Sequence, residues 1–458
     1  MFKKGDWCKH FKGKNLSEKN IYEIIEMGAK YSGEASEKPI ENLVVYKNIF
    51  QDKIFVREYE DLIAELSPEK QELYGQKYRV EKLTPEEVEL AKKEIEAKKE
   101  MKIIGKKYFE QLDETLKKYF SILSDEIPEF FYEYVGTPEM QKQGRISCTC
   151  GTCYTNLFDM SLPYSSLDHS VAVALIIWNF TKDKKQTLSG LLHDIATPAF
   201  KHCIDFMNGD HENQESTEEL TAKIISGSKE IMSLLKRDGI KLEEVADYHI
   251  YPIADNDTPK LAADRLEYTF SNGLGVRTKV WDLKEVKEIY KNIEVQKNEE
   301  GIEELGFKDR KIAEKFVNVV SKLSAFYISN STTFSMQFIA DIMKKMSENK
   351  LVSKDDLYNL SEKEIIDRIE NCKIGQIAEC FKNWRESTQL FESDEFVEGV
   401  YCIKGKNKKR YIVPLVKSEN GYKRINDVSE TAKQDIETFL NYKPKTYSYL
   451  KIDKNFGI

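Results

Sequence analysis

No apolar run in the 458-residue sequence is long enough to cross a bilayer: the longest, Val171–Trp178, has eight residues, whereas a spanning helix needs about 18 or more. Positive charge is not in excess either. Seventy Lys and Arg stand against 78 Asp and Glu, a formal net charge of −8, which excludes a chain built mainly to coat nucleic acid but leaves a local basic groove open. The 24 tyrosines and 23 phenylalanines are dispersed and do not interleave with a basic stripe, so nucleic-acid binding is not indicated. The basic residues near Met1 have no apolar stretch behind them, which a secretory signal would need. Eight cysteines then read as free thiols in a reducing cytosol, and a cytoplasmic location is expected. Internal repeats and low-complexity tracts are lacking as well.

What is present is globular composition, 40% hydrophobic and 32% charged, in a chain about three domain-lengths long. Residues 1–83 mix glycine, charged turns and short β-favouring clusters such as Leu43-Val-Val-Tyr46 and Ile54-Phe-Val-Arg57, which predicts a small β-rich module. Its phrases His10-Phe-Lys-Gly13, Ala29-Lys-Tyr-Ser-Gly-Glu34, Leu43-Val-Val-Tyr-Lys47 and Phe55-Val-Arg-Glu-Tyr59 resemble a short bacterial domain of unknown function. That resemblance implies a compact barrel-like unit and supplies no chemistry. Thr84-Pro-Glu-Glu87 has the residues of a helix start, with Thr as cap, Pro first and Glu third, so residues 84–107 read as a helical connector. From Tyr108 to about Lys373 the periodicity is helical almost throughout, and residues 108–390 read as one helical domain. Residues 391–458 read as an α+β extension. Val400-Tyr-Cys-Ile403 and Tyr411-Ile-Val-Pro-Leu-Val416 are expected to form a hairpin there around a lysine-rich loop, and a last helix is expected over Ser429 to Leu440. The fold class expected is mainly α.

Histidine is scarce, six in all, yet His169, His193, His202, His211 and His249 fall within 169–249, where an even spread would put about one. The doublet His193-Asp194 closes a helix-like run ahead of Pro198, whose predecessor is pushed out of the α region. A second, apolar helix is expected to start just after His169, and a third to carry Ala262-Ala-Asp264-Arg-Leu-Glu-Tyr268. An acid in such a packed stretch is costly unless something positive meets it. One divalent cation meets these needs together. Imidazole nitrogens with carboxylate oxygens suit Mn, Fe, Zn, Ni or Co, with Mg possible but less favoured at a histidine-rich site.

Tyr164-Ser-Ser-Leu-Asp-His169-Ser-Val-Ala-Val, Gly190-Leu-Leu-His193-Asp194-Ile, Pro198-Ala-Phe-Lys-His202 and Leu261-Ala-Ala-Asp264-Arg-Leu-Glu-Tyr268 resemble the HD superfamily of metal-dependent phosphohydrolases. They look most like its deoxynucleoside triphosphate triphosphohydrolase branch. The resemblance implies an HD-domain helical core, hydrolysis of a phosphate ester or anhydride, a nucleotide substrate and a homo-oligomer. It implies His169, His193, Asp194 and Asp264 as metal ligands. His202 matches a family histidine near the scissile phosphate, where an imidazole donates a hydrogen bond or moves a proton. His211-Glu212 and Gln214-Glu215 both resemble the family pair that orients a catalytic water, and both registers stay open. Gln141, Arg265, Tyr268 and Asn272 match substrate contacts, Arg265 as a charge-assisted donor to a phosphate oxygen. On helical spacing Asp264, Tyr268 and Asn272 share one face.

Several positions depart from that branch. Thr197 stands where a histidine is common, Ser166 and Lys142 where arginines are, and Asn272 where an aspartate reads the sugar 3′-hydroxyl. A nucleoside monophosphate, a modified nucleotide or a phosphodiester fits the pattern as well. So does a regulatory protein that binds nucleotide or metal without turnover. Cys148-Thr-Cys150-Gly-Thr-Cys153 groups three thiols without the fourth donor that a closed zinc site needs.

Overall fold

The structure, a computed structural model, describes residues 1–12, 20–31, 40–49, 53–208, 220–405, 409–419 and 421–457. The chain divides into two compact units, Met1–Ile104 with Ser233–Gly239, and Gly105–Met232 with Ile240–Ile458.

Five strands build the first unit: β1 (Trp7–His10), β2 (Ile21–Tyr31), β3 (Ile40–Asn48), β4 (Ile54–Glu58) and β5 (Val80–Lys82). They pair in the order β4-β3-β2-β1-β5, every neighbour antiparallel. Side chains alternate across a strand, which turns Ile24, Val44 and Tyr46 inward onto Cys8, Leu62 and Val80. Among the described residues the sheet is open where a barrel-like unit is expected. The three-residue β5 pairs only with β1, and the far edge β4 leaves Ile54, Phe55 and Val56 exposed. The helix Pro85–Gln111 starts in this unit behind a reciprocal cap, with Glu87 N donating to Thr84 Oγ1 at 3.2 Å and Thr84 N to Glu87 Oε2 at 2.9 Å.

The second unit is mostly helical, and the chain as a whole is mainly α. Its central helix, Ser166–Thr181, is buried on every side from Ser166 to Ile177, as a helix apolar all round must be. This helix begins three residues before His169 and not just after it. Ser165 and Asp168 form a capping box that places His169 in the first turn. The helix Lys184–Leu192 packs against it. At Gly190 a Cβ would stand 2.2 Å from Ile177 Cδ1, so a glycine there lets the two helices approach. The helix Ala263–Gly273 packs on the same central helix. Among the described residues no helix is long and apolar enough to cross a membrane.

Two small sheets correct the sequence expectations. β6 (Ile293–Lys297) and β7 (Glu303–Phe307) form a hairpin inside the stretch read as helical almost throughout. β8 (Phe391–Ser393), β9 (Tyr401–Lys404), β10 (Leu415–Ser418), β11 (Gly421–Arg424) and β12 (Tyr447–Leu450) follow. The hairpin expected between 400–403 and 411–416 does not form. β9 pairs with β12, while β10 runs parallel to β7 and antiparallel to β11. Pairing with β12 seats Tyr401 in an aromatic core, its ring centroid 5.4 Å from that of Phe334 and 5.3 Å from that of Phe338. This burial favours the distant partner over the near one.

Candidate metal centre

Three helix ends deliver the charged side chains. His169 is set by the cap at Ser165, whose Oγ accepts from Asp168 N at 3.1 Å while Asp168 Oδ2 accepts from Ser165 N at 2.7 Å. Tyr108 OH donates to the other Asp168 oxygen at 2.8 Å. His193 terminates the helix Lys184–Leu192, and Asp194 follows in a turn closed by Thr197 N to Asp194 O at 2.9 Å. That turn is tied down from the helix Pro138–Gln143: Lys142 Nζ donates to Thr197 O at 3.0 Å and Gln143 Nε2 to Ile195 O at 2.8 Å. Burial, helped by Arg145, pulls the Lys142 ammonium down to about 8. Asp264 sits in the first turn of Ala263–Gly273.

Ligand atoms of His169, His193 and Asp194 lie within 4.8 Å of one another. His169 Nε2 is 3.1 Å from Asp264 Oδ1 and 4.0 Å from Asp194 Oδ2, and His193 Nε2 is 3.8 Å from Asp194 Oδ1. The remaining ring nitrogens are committed elsewhere. His193 Nδ1 donates to the Gly190 carbonyl at 2.7 Å. A carbonyl only accepts, so a proton sits on Nδ1 and Nε2 is the ring nitrogen left to face the carboxylates. His169 Nδ1 meets Glu267 Oε2; this carboxylate is fully buried and also accepts from Tyr164 OH at 2.6 Å and Tyr119 OH at 3.1 Å. A carboxylate behind a ligand histidine fixes the ring and raises its basicity.

Burial works against a charged His169, but Glu267 and Asp264 outweigh it and hold the imidazolium up at about 10. Burial likewise opposes ionisation of the two aspartates, yet both stay below the usual carboxylate range. His169 and His193 hold Asp264 down, and Lys201 with the two histidines holds Asp194 down. Two histidine rings and two ionised carboxylates thus face one another; once His169 Nε2 gives up the proton it shares with Asp264, they form a donor set that suits a divalent transition cation. The proton that His169 Nε2 presents to Asp264 marks where positive charge is wanted.

Lys201 Nζ lies 2.6 Å from Asp194 Oδ2, and Ser166 Oγ donates to the same oxygen at 3.4 Å. His169, His193, Asp194, Lys201 and Asp264 line a cavity of about 700 Å³, within the range of small-molecule sites. His202, Tyr268 and Asn272 line it too, Asn272 Nδ2 donating to Tyr327 OH at 3.0 Å. Arg265 also borders the cavity, but its guanidinium is engaged: Nη1 is 3.0 Å from Asp255 Oδ1 and 2.7 Å from Asn256 Oδ1, and Nη2 donates to the Asn256 carbonyl. Gln141 is not among the lining residues, and its Nε2 donates to Val135 O at 2.8 Å. His211, Glu212, Gln214 and Glu215 lie outside the described residues. Cys148 and Cys150 line the cavity as free thiols, and burial pushes Cys148 up. Glu267 and Lys201 lie inside the motif segments with no role assigned to them there, and Arg277 lies outside those segments. Glu267 has a signal in its register, three residues beyond Asp264 on one helix. Lys201 has only its place directly before His202, and the cavity-lining Arg277 has none.

Fold and side chains together define a mainly helical chain with a candidate divalent-metal centre in its larger unit. The sequence is 24% identical over 289 residues to the uncharacterized protein YdhJ of Bacillus subtilis (strain 168), covering 63% of this chain and 84% of that one. Among solved structures it is similar to a hypothetical protein from Aquifex aeolicus, with a TM-score of 0.50, 15% identity and coverage of 71% of this chain and 92% of that one, a likeness of fold alone. It also aligns with a phosphohydrolase from Bacteroides thetaiotaomicron VPI-5482 at a TM-score of 0.48 and 13% identity, covering 72% of this chain and 96% of that one. No protein-family model matches the sequence.

Proposed function

We propose that this chain is a metal-dependent phosphohydrolase of the HD type, acting on a nucleotide in the manner of the deoxynucleoside triphosphate triphosphohydrolases. One observation carries the reading: His169, His193, Asp194 and Asp264, from three separate helix ends, converge in a cavity of about 700 Å³ that also holds Lys201, Arg277 and Arg410. Held by these four side chains, a divalent ion supplies a Lewis acid that lowers the pKa of water and polarises a phosphoryl oxygen.

The chain's own residues do the rest. Glu267 keeps His169 in the ligand orientation. His202, on the cavity wall, holds or moves a proton at the departing oxygen. Tyr268 with Asn272 and Tyr327 offers an aromatic and hydrogen-bonding surface to the nucleoside. In this reading His211-Glu212 or Gln214-Glu215 orients the attacking water. Gln141 and Arg265 serve as substrate contacts in this reading, Gln141 only after its amide leaves the Val135 carbonyl and turns to the cavity, and Arg265 after giving up a bond to Asp255 or Asn256. A homo-oligomer belongs to the same reading.

The test is metal analysis of the purified protein with a screen of nucleotides and phosphodiesters for turnover in Mn²⁺, run beside His193→Ala and Asp194→Ala. Turnover that disappears in both variants supports the enzyme. A metal-loaded protein that binds nucleotide and releases no product favours a regulatory binding protein. Equal turnover in wild type and variants removes the mechanism.

A further inference from the structure

We propose that the Lys201 ammonium is a ligand for a phosphoryl oxygen, a second cation acting beside the metal centre on the phosphate bound there. The proposal rests on the phosphohydrolase reading and goes beyond its motif residues.

The side chain of Lys201 is 9% exposed, and an ammonium carries three donors. One is taken by Asp194 Oδ2 at 2.6 Å and a second meets Cys148 Sγ at 3.9 Å, a weak acceptor. The third finds no acceptor among the described residues. A buried ammonium short of acceptors is costly, and because Lys201 lines the cavity, the missing acceptor must come from whatever fills it.

The backbone is arranged for this placement. Phe200 and Lys201 are consecutive non-glycine residues with φ of 64° and 48°, in the left-handed region where a Cβ is crowded. The turn is held by Ala199 N to Leu357 O at 2.8 Å, Phe200 N to Glu362 Oε1 at 3.0 Å and Lys201 N to Pro198 O at 3.0 Å. Strain of this kind persists where the surroundings over-determine it, and its product here is a lysine aimed at a metal ligand.

Charge points the same way. Among the described residues the carboxylate paired with Lys201 is Asp194, itself a proposed ligand, so a cation on Asp194 takes up that negative charge and leaves the ammonium to attract an anion. Arg265 is already held by Asp255 and Asn256. A lysine, a compact point charge, suits a phosphate oxygen.

The experiment is calorimetric titration of inorganic phosphate into the full chain loaded with Mn²⁺, for wild type, Lys201→Met and Lys201→Gly. Glycine accepts the left-handed backbone, so lost binding in that variant is not lost folding. All three proteins are expected to bind one Mn²⁺ per chain, and both variants to bind phosphate about tenfold more weakly or worse, the scale of a charge-assisted hydrogen bond. Variants that bind phosphate as tightly as wild type overturn the role of Lys201 and leave the metal centre standing. A wild type that takes up no Mn²⁺ overturns the phosphohydrolase reading, and this proposal with it.

Discussion

The Glu267 carboxylate holds His169 by Nδ1, while the ring's other nitrogen, Nε2, stands 3.1 Å from Asp264 Oδ1. The imidazole is therefore gripped on one side and presented on the other. Glu267→Gln keeps the shape but removes the charge, and it is expected to weaken Mn²⁺ binding about 10- to 100-fold with stoichiometry unchanged. Calorimetry of the two proteins decides; equal affinities would show that Glu267 does not orient the ligand.

Metal also enters through stability. An ion that binds only the folded chain stabilises it by about 2.7 kcal/mol when present at a hundred times its dissociation constant. Mn²⁺ should raise the thermal midpoint of the wild type, a chelator should reverse the rise, and Asp264→Ala should show neither response. A shift of equal size in Asp264→Ala would place the ion elsewhere.

Glu362 sets a pH dependence away from the ligands. Burial pushes its carboxyl up to about 7, against hydrogen bonds from Tyr154 OH at 2.5 Å and Phe200 N at 3.0 Å that pull it down. The folded chain then keeps a proton that the unfolded chain releases near its ordinary value of 4.5. This contribution is fully present below about 4.5 and is lost as pH rises toward 7, a change on the order of 3 kcal/mol. Urea titrations of wild type and Glu362→Gln from pH 4.5 to 7.5 should show wild type losing stability relative to the variant. A constant difference would contradict this assignment.

Gly105 tests the packing of the larger unit. A Cβ there would lie 1.9 Å from the Tyr132 carbonyl oxygen, so backbone must move. Alanine ordinarily stabilises a helix interior relative to glycine by about 1 kcal/mol. Here Gly105→Ala should instead destabilise, by about 1 to 3 kcal/mol, lowering the urea midpoint at unchanged slope. A midpoint that rises would mean the two segments do not approach as described.

The helices were legible because their signals are local. Thr84-Pro-Glu-Glu87 caps Pro85–Gln111. The helix start is harder to place than the apolar run that follows it, because Ser165 and Asp168 form the cap and put His169 in the first turn. Strand pairing was harder to read: β9 joins β12 across a long separation, and no local feature of Val400–Ile403 names that partner. The motif residues His193 and Asp194 mark themselves by adjacency. Glu267 depends on where Tyr119, Tyr164 and His169 meet in space. Lys201 depends on a backbone turn that residue type alone disfavours.

The most direct measurement is anomalous diffraction from crystals of the full chain grown with Mn²⁺. The account requires one ion within about 2.0 to 2.4 Å of His169 Nε2, His193 Nε2 and carboxylate oxygens of Asp194 and Asp264. An ion bound away from these four side chains, or none at saturating Mn²⁺, would contradict it.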